Sequence, residues 1–120
     1  MAKGRERRQS ARITVPSGFS VPGRASQRIR LVELSAAGAR MEHPHPLQAG
    51  VVCFVELPPR LGGGTFRGRI VWTAVHRDEQ TPEGDRHRYY QSGLAWDGLT
   101  PEQLGALAAA LEILTAAQEG

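Results

Sequence analysis

The chain has 120 residues, 40% hydrophobic and 22% charged, which suits one globular domain and excludes a disordered polymer. Its formal charge is +3, unevenly placed: residues 1–30 hold eight Lys/Arg against Glu6 alone, and residues 31–120 hold seven against eleven acids. The positive field belongs to one segment, which favours a local anion site over a general nucleic-acid coat. No apolar run approaches the ~20 residues of a membrane helix, and none follows the basic N-terminus as in a secretory signal, so no membrane partner and a cytoplasmic location are expected.

Residues 1–12 lack apolar periodicity and are expected to form a loose basic arm, with Arg7, Arg8 and Arg12 in the run Arg-Arg-Gln-Ser-Ala-Arg. Ile13-Thr14-Val15 is a short alternating piece stopped by Pro16-Ser17-Gly18, and Pro22-Gly23 marks a further turn. Ile29 and Leu31 alternate with Arg28 and Arg30, and the run continues to Leu34. Ser35-Ala36-Ala37-Gly38 breaks it, and alternation resumes over Ala39-Arg40-Met41-Glu42, which predicts a hairpin with that break at its turn. Pro44, Pro46 and Gly50 mark a loop.

Val51 to Leu57 is an apolar, β-branched strand holding the lone Cys53, expected as a small core residue. Pro58-Pro59 and Gly62-Gly63-Gly64 close it. In the next strand, Phe66 to Val75, strict alternation places Phe66, Ile70, Trp72 and Ala74 on one face and Arg67, Arg69 and Thr73 on the other. Arg77 to Arg88 is polar and predicts a long hairpin loop, and Tyr89 to Trp96 is a last strand. Short strands with turn signals between them predict a small all-β barrel or sandwich over residues 13–99.

The end is helical, over residues 100–118. Thr100 caps, Pro101 suits the first turn, and Gln103 returns the capping-box hydrogen bond. Leu104, Leu107, Ala108, Leu111 and Leu114 then share one face, to cover the barrel or pair with a partner helix.

The chemistry-bearing residues point to binding. Arginine offers a planar fork for phosphate oxygens and a flat face for stacking on a base. A serine hydroxyl and backbone amides near a glycine complete an anion site, which makes Ser35 and Gly38 candidates beside the arginines. Trp72 suits either the core or an aromatic platform beside that site. His43-Pro44-His45 lacks a third ligand at zinc spacing, so no metal is expected. Glu33 and Glu42 share a hairpin with no nucleophile or oxyanion element, which gives hydrolysis no support. The glycine run lacks the Lys-Ser/Thr of a phosphate loop.

The two motifs together resemble the PilZ domain, the bacterial receptor module for cyclic di-GMP. Its pattern is two arginines four apart on an N-terminal arm, then (Asp/Asn)-x-Ser-x-x-Gly at a β-turn. Here these are Arg8-Gln9-Ser10-Ala11-Arg12, preceded by Arg7, and Glu33-Leu34-Ser35-Ala36-Ala37-Gly38. Gly68-Arg69-Ile70-Val71-Trp72, Gly93-Leu94-Ala95-Trp96 and the Thr-Pro-Glu-Gln helix start extend the resemblance over residues 5–118.

The resemblance implies a six-stranded antiparallel β-barrel with a C-terminal helix, no catalysis and cyclic di-GMP as ligand. It further implies that Arg8 and Arg12 contact phosphates and guanine faces, with Arg7 as in members that hold an intercalated ligand dimer. Ser35 and Gly38 then present a hydroxyl and backbone amides. Glu33 departs from the usual Asp or Asn: it keeps the acceptor for guanine N1–H and N2–H but displaces it by a methylene. Ligand binding is expected to order the arm over the barrel and change the surface shown to a protein effector, the chain being a monomer or weak homodimer. The alternatives are a PilZ-like interaction domain without ligand and a basic β-barrel that binds nucleic acid.

Overall fold

Alternation of apolar and polar residues builds this molecule strand by strand. The computed structural model describes residues 9–16 and 24–119. Six antiparallel strands are present: β1 (Gln9–Pro16), β2 (Arg24–Leu34), β3 (Gly38–His43), β4 (Val52–Glu56), β5 (Thr65–Gln80) and β6 (Arg86–Trp96). They close in the order β1-β2-β3-β6-β5-β4, with β1 pairing to β4, so the barrel body has no free edge. Helix α1 (Pro101–Glu119) follows, giving the expected architecture.

The interior is filled by inward alternate residues. Ile13, Met41, Cys53 and Val55 are wholly inaccessible, and Phe66 and Ile70 nearly so. Burial pushes the Cys53 thiol up to about 11, so it is an inert filler. A 3-10 turn at Pro59–Leu61 drives Leu61 into the core, and α1 packs against this turn. Helix α1 starts on the predicted capping box: Gln103 N–H donates to Thr100 Oγ1 (3.1 Å) and Thr100 N–H to Gln103 Oε1 (2.9 Å).

The buried stripe of α1 is rotated from the expected one. Leu107 and Ala110 are buried and Leu111 and Leu114 half-buried, while Leu104 and Ala108 are exposed. Contact with the curved barrel selects the facing residues here, and leucine spacing alone does not.

Several strands are longer than expected. β1 begins at Gln9, so residues 9–12 belong to the barrel and not to the arm. β2 begins at Arg24. The segment expected as a loop over Arg77–Arg88 is mostly ribbon: β5 runs to Gln80 and β6 resumes at Arg86. A turn centred on Gly84 closes it, with Thr81 N–H donating to Asp85 O (2.7 Å) and Asp85 N–H to Thr81 Oγ1 (3.0 Å). Polar cross-strand contacts replace apolar ones along the ribbon. Arg88 Nε lies 2.8 Å from Asp78 Oδ1, which holds that carboxyl below its ordinary value, and the Arg77 guanidinium stacks 4.2 Å over Tyr89.

The barrel interior also holds a polar chain. His43, 1% exposed, donates from Nδ1 to the His45 carbonyl at 2.7 Å. Its Nε2 then accepts from Ser92 Oγ (2.7 Å), which in turn accepts from Thr73 Oγ1 (2.6 Å). The Ser92 hydroxyl has no exposed surface, so this serine–histidine pair is structural. Burial lowers the His43 pKa, against the raising effects of the His45 carbonyl and Glu42. The neutral ring is therefore favoured in the folded state. Its contribution to stability is complete above the unfolded value of 6.5 and is lost as pH falls through the lower folded value. We expect the unfolding midpoint to drop between pH 7.5 and 5, and His43→Gln to flatten that dependence in a pH series of thermal melts.

Candidate functional site

Two β-bulges decide which side chains face outward. In the β2–β3 pair Leu31 faces Met41, but Glu33 faces Arg40, so the register shifts at Val32. Without the shift, Glu33 would follow Leu31 and Met41 into the interior; with it, Glu33 joins Arg40 on the outside. In the β5–β6 pair Ile70 faces Leu94, but Trp72 faces Gly93, so the shift falls at Val71. Trp72 is accordingly 40% exposed, and Thr73 turns inward to Ser92. This corrects the expected alternation, which kept Trp72 and Ala74 with Ile70.

The corrected register brings the outward residues into one row. Glu33 pairs with Arg40, Arg40 with Gly93, and Gly93 with Trp72, across four neighbouring strands. Gly93 is essential to this row. A Cβ there would sit 2.3 Å from Trp72 Nε1 and 2.7 Å from Cε2, so the indole lies flat over the glycine. Gly93→Ala is expected to lift Trp72 off the barrel and shift its fluorescence toward that of a solvated indole; an unchanged spectrum would contradict this packing.

The Ser35 turn stands at the end of the row. Ser35 N–H donates to Gly38 O (2.9 Å), and Ser35 Oγ accepts from the amides of Ala37 and Gly38, both at 3.2 Å. The hydroxyl itself reaches Gly38 O at 3.3 Å, and Trp96 Nε1 donates to Ser35 O at 3.0 Å. These groups are therefore engaged in shaping the turn. Gly38 has a packing role as well, because a Cβ on it would meet Leu94 O at 1.9 Å.

The arginines divide. Arg7 and Arg8 lie outside the described residues. Gln9 pairs with Leu31, two residues before Glu33, so the chain enters β1 beside the bulge and the Ser35 turn. Arg12 is exposed on β1, opposite Arg28 and Glu56, and its Nη1 lies 3.3 Å from Ser26 Oγ. Arg28 stands five residues before Glu33 on β2, a run of about 16 Å. Arg12 therefore shares the outer surface with Glu33, Arg40 and Trp72 but is not gathered with them.

Sequence reasoning did not single out Arg40, nor the cluster next to it. Glu42 faces outward by register yet is 6% exposed. Arg30 Nη1 (3.8 Å), Arg77 Nη2 (3.3 Å) and His76 Nε2 (3.3 Å) cover its carboxylate, and Arg77 also pairs with Glu79. Outward alternation of Arg28, Arg30 and Arg40 was visible in the strand pattern; the enclosure of Glu42 by a ribbon read as loop was not. Among the described residues no three His, Cys, Asp or Glu side chains gather as a metal site, and both ring nitrogens of His43 are engaged. No described helix is long and apolar enough to cross a membrane.

Known proteins supply an independent comparison. A family model described as PilZ domain matches residues 6–112. Among solved structures, the fold is similar to the PilZ domain, with c-di-GMP, of YcgR from Escherichia coli: TM-score 0.64, 15% identity, 93% of this chain and 92% of that chain covered. It is also similar to K. pneumonia MrkH in its apo state, with TM-score 0.63, 13% identity, and 92% and 50% of the two chains covered. A further MrkH structure, described as a c-di-GMP-dependent transcription regulatory factor, gives TM-score 0.63 and 12% identity over 90% and 46%. At these identities the likeness is one of fold. No curated protein sequence matches the chain.

Proposed function

The chain belongs to the PilZ domain family, and on that premise we propose that it is a cytoplasmic receptor for cyclic di-GMP that binds without chemistry. The observation that carries this reading is the outward row of Glu33, Arg40, Gly93 and Trp72, built by two bulges and placed where the chain enters β1. A carboxylate to accept from guanine N–H groups, an indole to stack on and arginines to pair with phosphates are what this ligand requires. The similar YcgR domain is described with c-di-GMP.

In this reading Arg8 pairs with a phosphate and a guanine face of the ligand, Arg7 adds a second fork, and Arg12 meets a phosphate at the far margin. Ser35 and Gly38 serve by holding the turn that presents Glu33. The ligand neutralises the basic segment before Gln9, fixes it across the outer face and so alters the surface offered to a protein effector. Titration calorimetry of the full chain with cyclic di-GMP tests the receptor, with a single-stranded oligonucleotide as comparison. Saturable heat with the dinucleotide alone supports it. Heat with the oligonucleotide alone, weakening steeply with salt, would transfer the function to nucleic-acid binding. No heat with either leaves a protein-interaction domain.

A further inference from the structure

We propose that Arg40, outside both arginine and serine motifs, reads the guanine base beside Glu33 and sets the purine specificity of the site; this rests on the receptor reading above. Glu33 and Arg40 are directly opposite on the outer face. Cβ atoms of such a pair stand about 5 Å apart. Opposite charges at that separation on exposed strands ordinarily pair, yet neither side chain makes a hydrogen bond or ion pair among the described residues. The neighbouring outward charges Arg30, Arg77 and Glu42 are by contrast occupied, Arg30 and Arg77 by Glu42, and Glu42 by both. Among the described residues, one acceptor and one two-pronged donor are therefore open, side by side.

The edge that fits them is specific. Guanine presents N1–H and N2–H donors next to the O6 and N7 acceptors. A carboxylate accepts from the first pair, and arginine binds the second bidentately. Adenine presents an amino donor where guanine has O6, so it places a donor against the guanidinium. On the other side of Arg40, Gly93 leaves the surface bare and the Trp72 indole lies across it, a flat apolar wall for the base. The extra methylene of Glu33, compared with aspartate, gives its carboxylate a longer reach from the strand, as the arginine opposite also has. Arg40 is thus the partner that makes glutamate workable at this position.

The test uses the full chain, with cyclic di-GMP and cyclic di-AMP compared by direct and competition calorimetry. Arg40→Ala is expected to weaken cyclic di-GMP about tenfold and to narrow the preference over cyclic di-AMP by a similar factor. Arg40→Lys, which keeps the charge without the fork, is expected to leave the preference narrowed. The melting temperature should not move, because the exposed side chain has no partner to lose among the described residues. Unchanged affinity in Arg40→Ala, equal weakening of both dinucleotides, full recovery in Arg40→Lys, or a fall in melting temperature that accounts for the lost affinity would each overturn the assignment. If the unaltered protein binds neither dinucleotide, the receptor reading fails and this inference with it.

Discussion

Gly38→Ala is expected to destabilise the barrel by about 3 kcal/mol or more, at the upper end of what one overpacked methyl costs. The added Cβ would meet Leu94 O at 1.9 Å and Leu94 C at 3.0 Å. Both are backbone atoms of β6, paired to β3 from Gly38 to His43, so neither can swing aside as a side chain does. Relief requires β3 and β6 to separate where Trp96 N–H donates to Ala37 O (3.0 Å) and Trp96 Nε1 to Ser35 O (3.0 Å). The loss then spreads into the turn that presents Glu33. A drop in melting temperature on the order of 10 °C is expected for a domain of this size. A midpoint within about 2 °C of the parent would show that the strands do not approach so closely.

Arg8→Ala is expected to reduce cyclic di-GMP affinity about a hundredfold, the effect of removing a charge-assisted, bidentate partner from a phosphate. Arg12→Ala should cost less, on the order of tenfold or below. The difference follows from register. The chain enters β1 opposite Leu31, beside the Glu33 bulge, whereas Arg12 lies opposite Arg28 and is already near Ser26 Oγ (3.3 Å). Calorimetry of the two variants measures the ratio directly. Equal losses would mean that the ligand draws the first residues of β1 off β2. Hydrogen exchange with and without saturating ligand reads the same event, since protection gained before Gln9 alone fits a fixed arm, and protection lost over residues 9–12 fits a re-registered strand. No change in either place would sink the proposed ordering.

The β2–β3 hairpin and its turn were legible because the signals agree at each level. Ile29 and Leu31 alternate with arginines, Ser35 to Gly38 interrupts, and Ala39 and Met41 resume. The helix start was legible for the same reason: Thr100, Pro101 and Gln103 each suit one position. The charged ribbon of β5 and β6 was not. Arg77, Asp78 and Glu79 have no apolar period, and they form strand only because Tyr89, Arg88 and His87 stand opposite. Pairing partners eight to twelve residues apart carry that information, and a local window does not contain it.

The site divides along the same line. Residue types and turn signals determined an all-β barrel or sandwich with a capped helix, which the family resemblance narrowed to a barrel. They determined that the positive charge is concentrated at one end of the chain and which serine and glycine shape the turn. They also supplied the chemistry: an acid at position 33, an indole at position 72 and arginines on outward strand positions. Only the tertiary structure decided that these side chains face the same way. A period of two carries Trp72 inward with Ile70 and Glu33 inward with Leu31; one extra residue at Val71 and another at Val32 reverse both. A bulge is a mismatch between two strands, so it exists only once the partner is paired. That pairing makes Arg40 the neighbour of Glu33 and Gly93 the bed of Trp72.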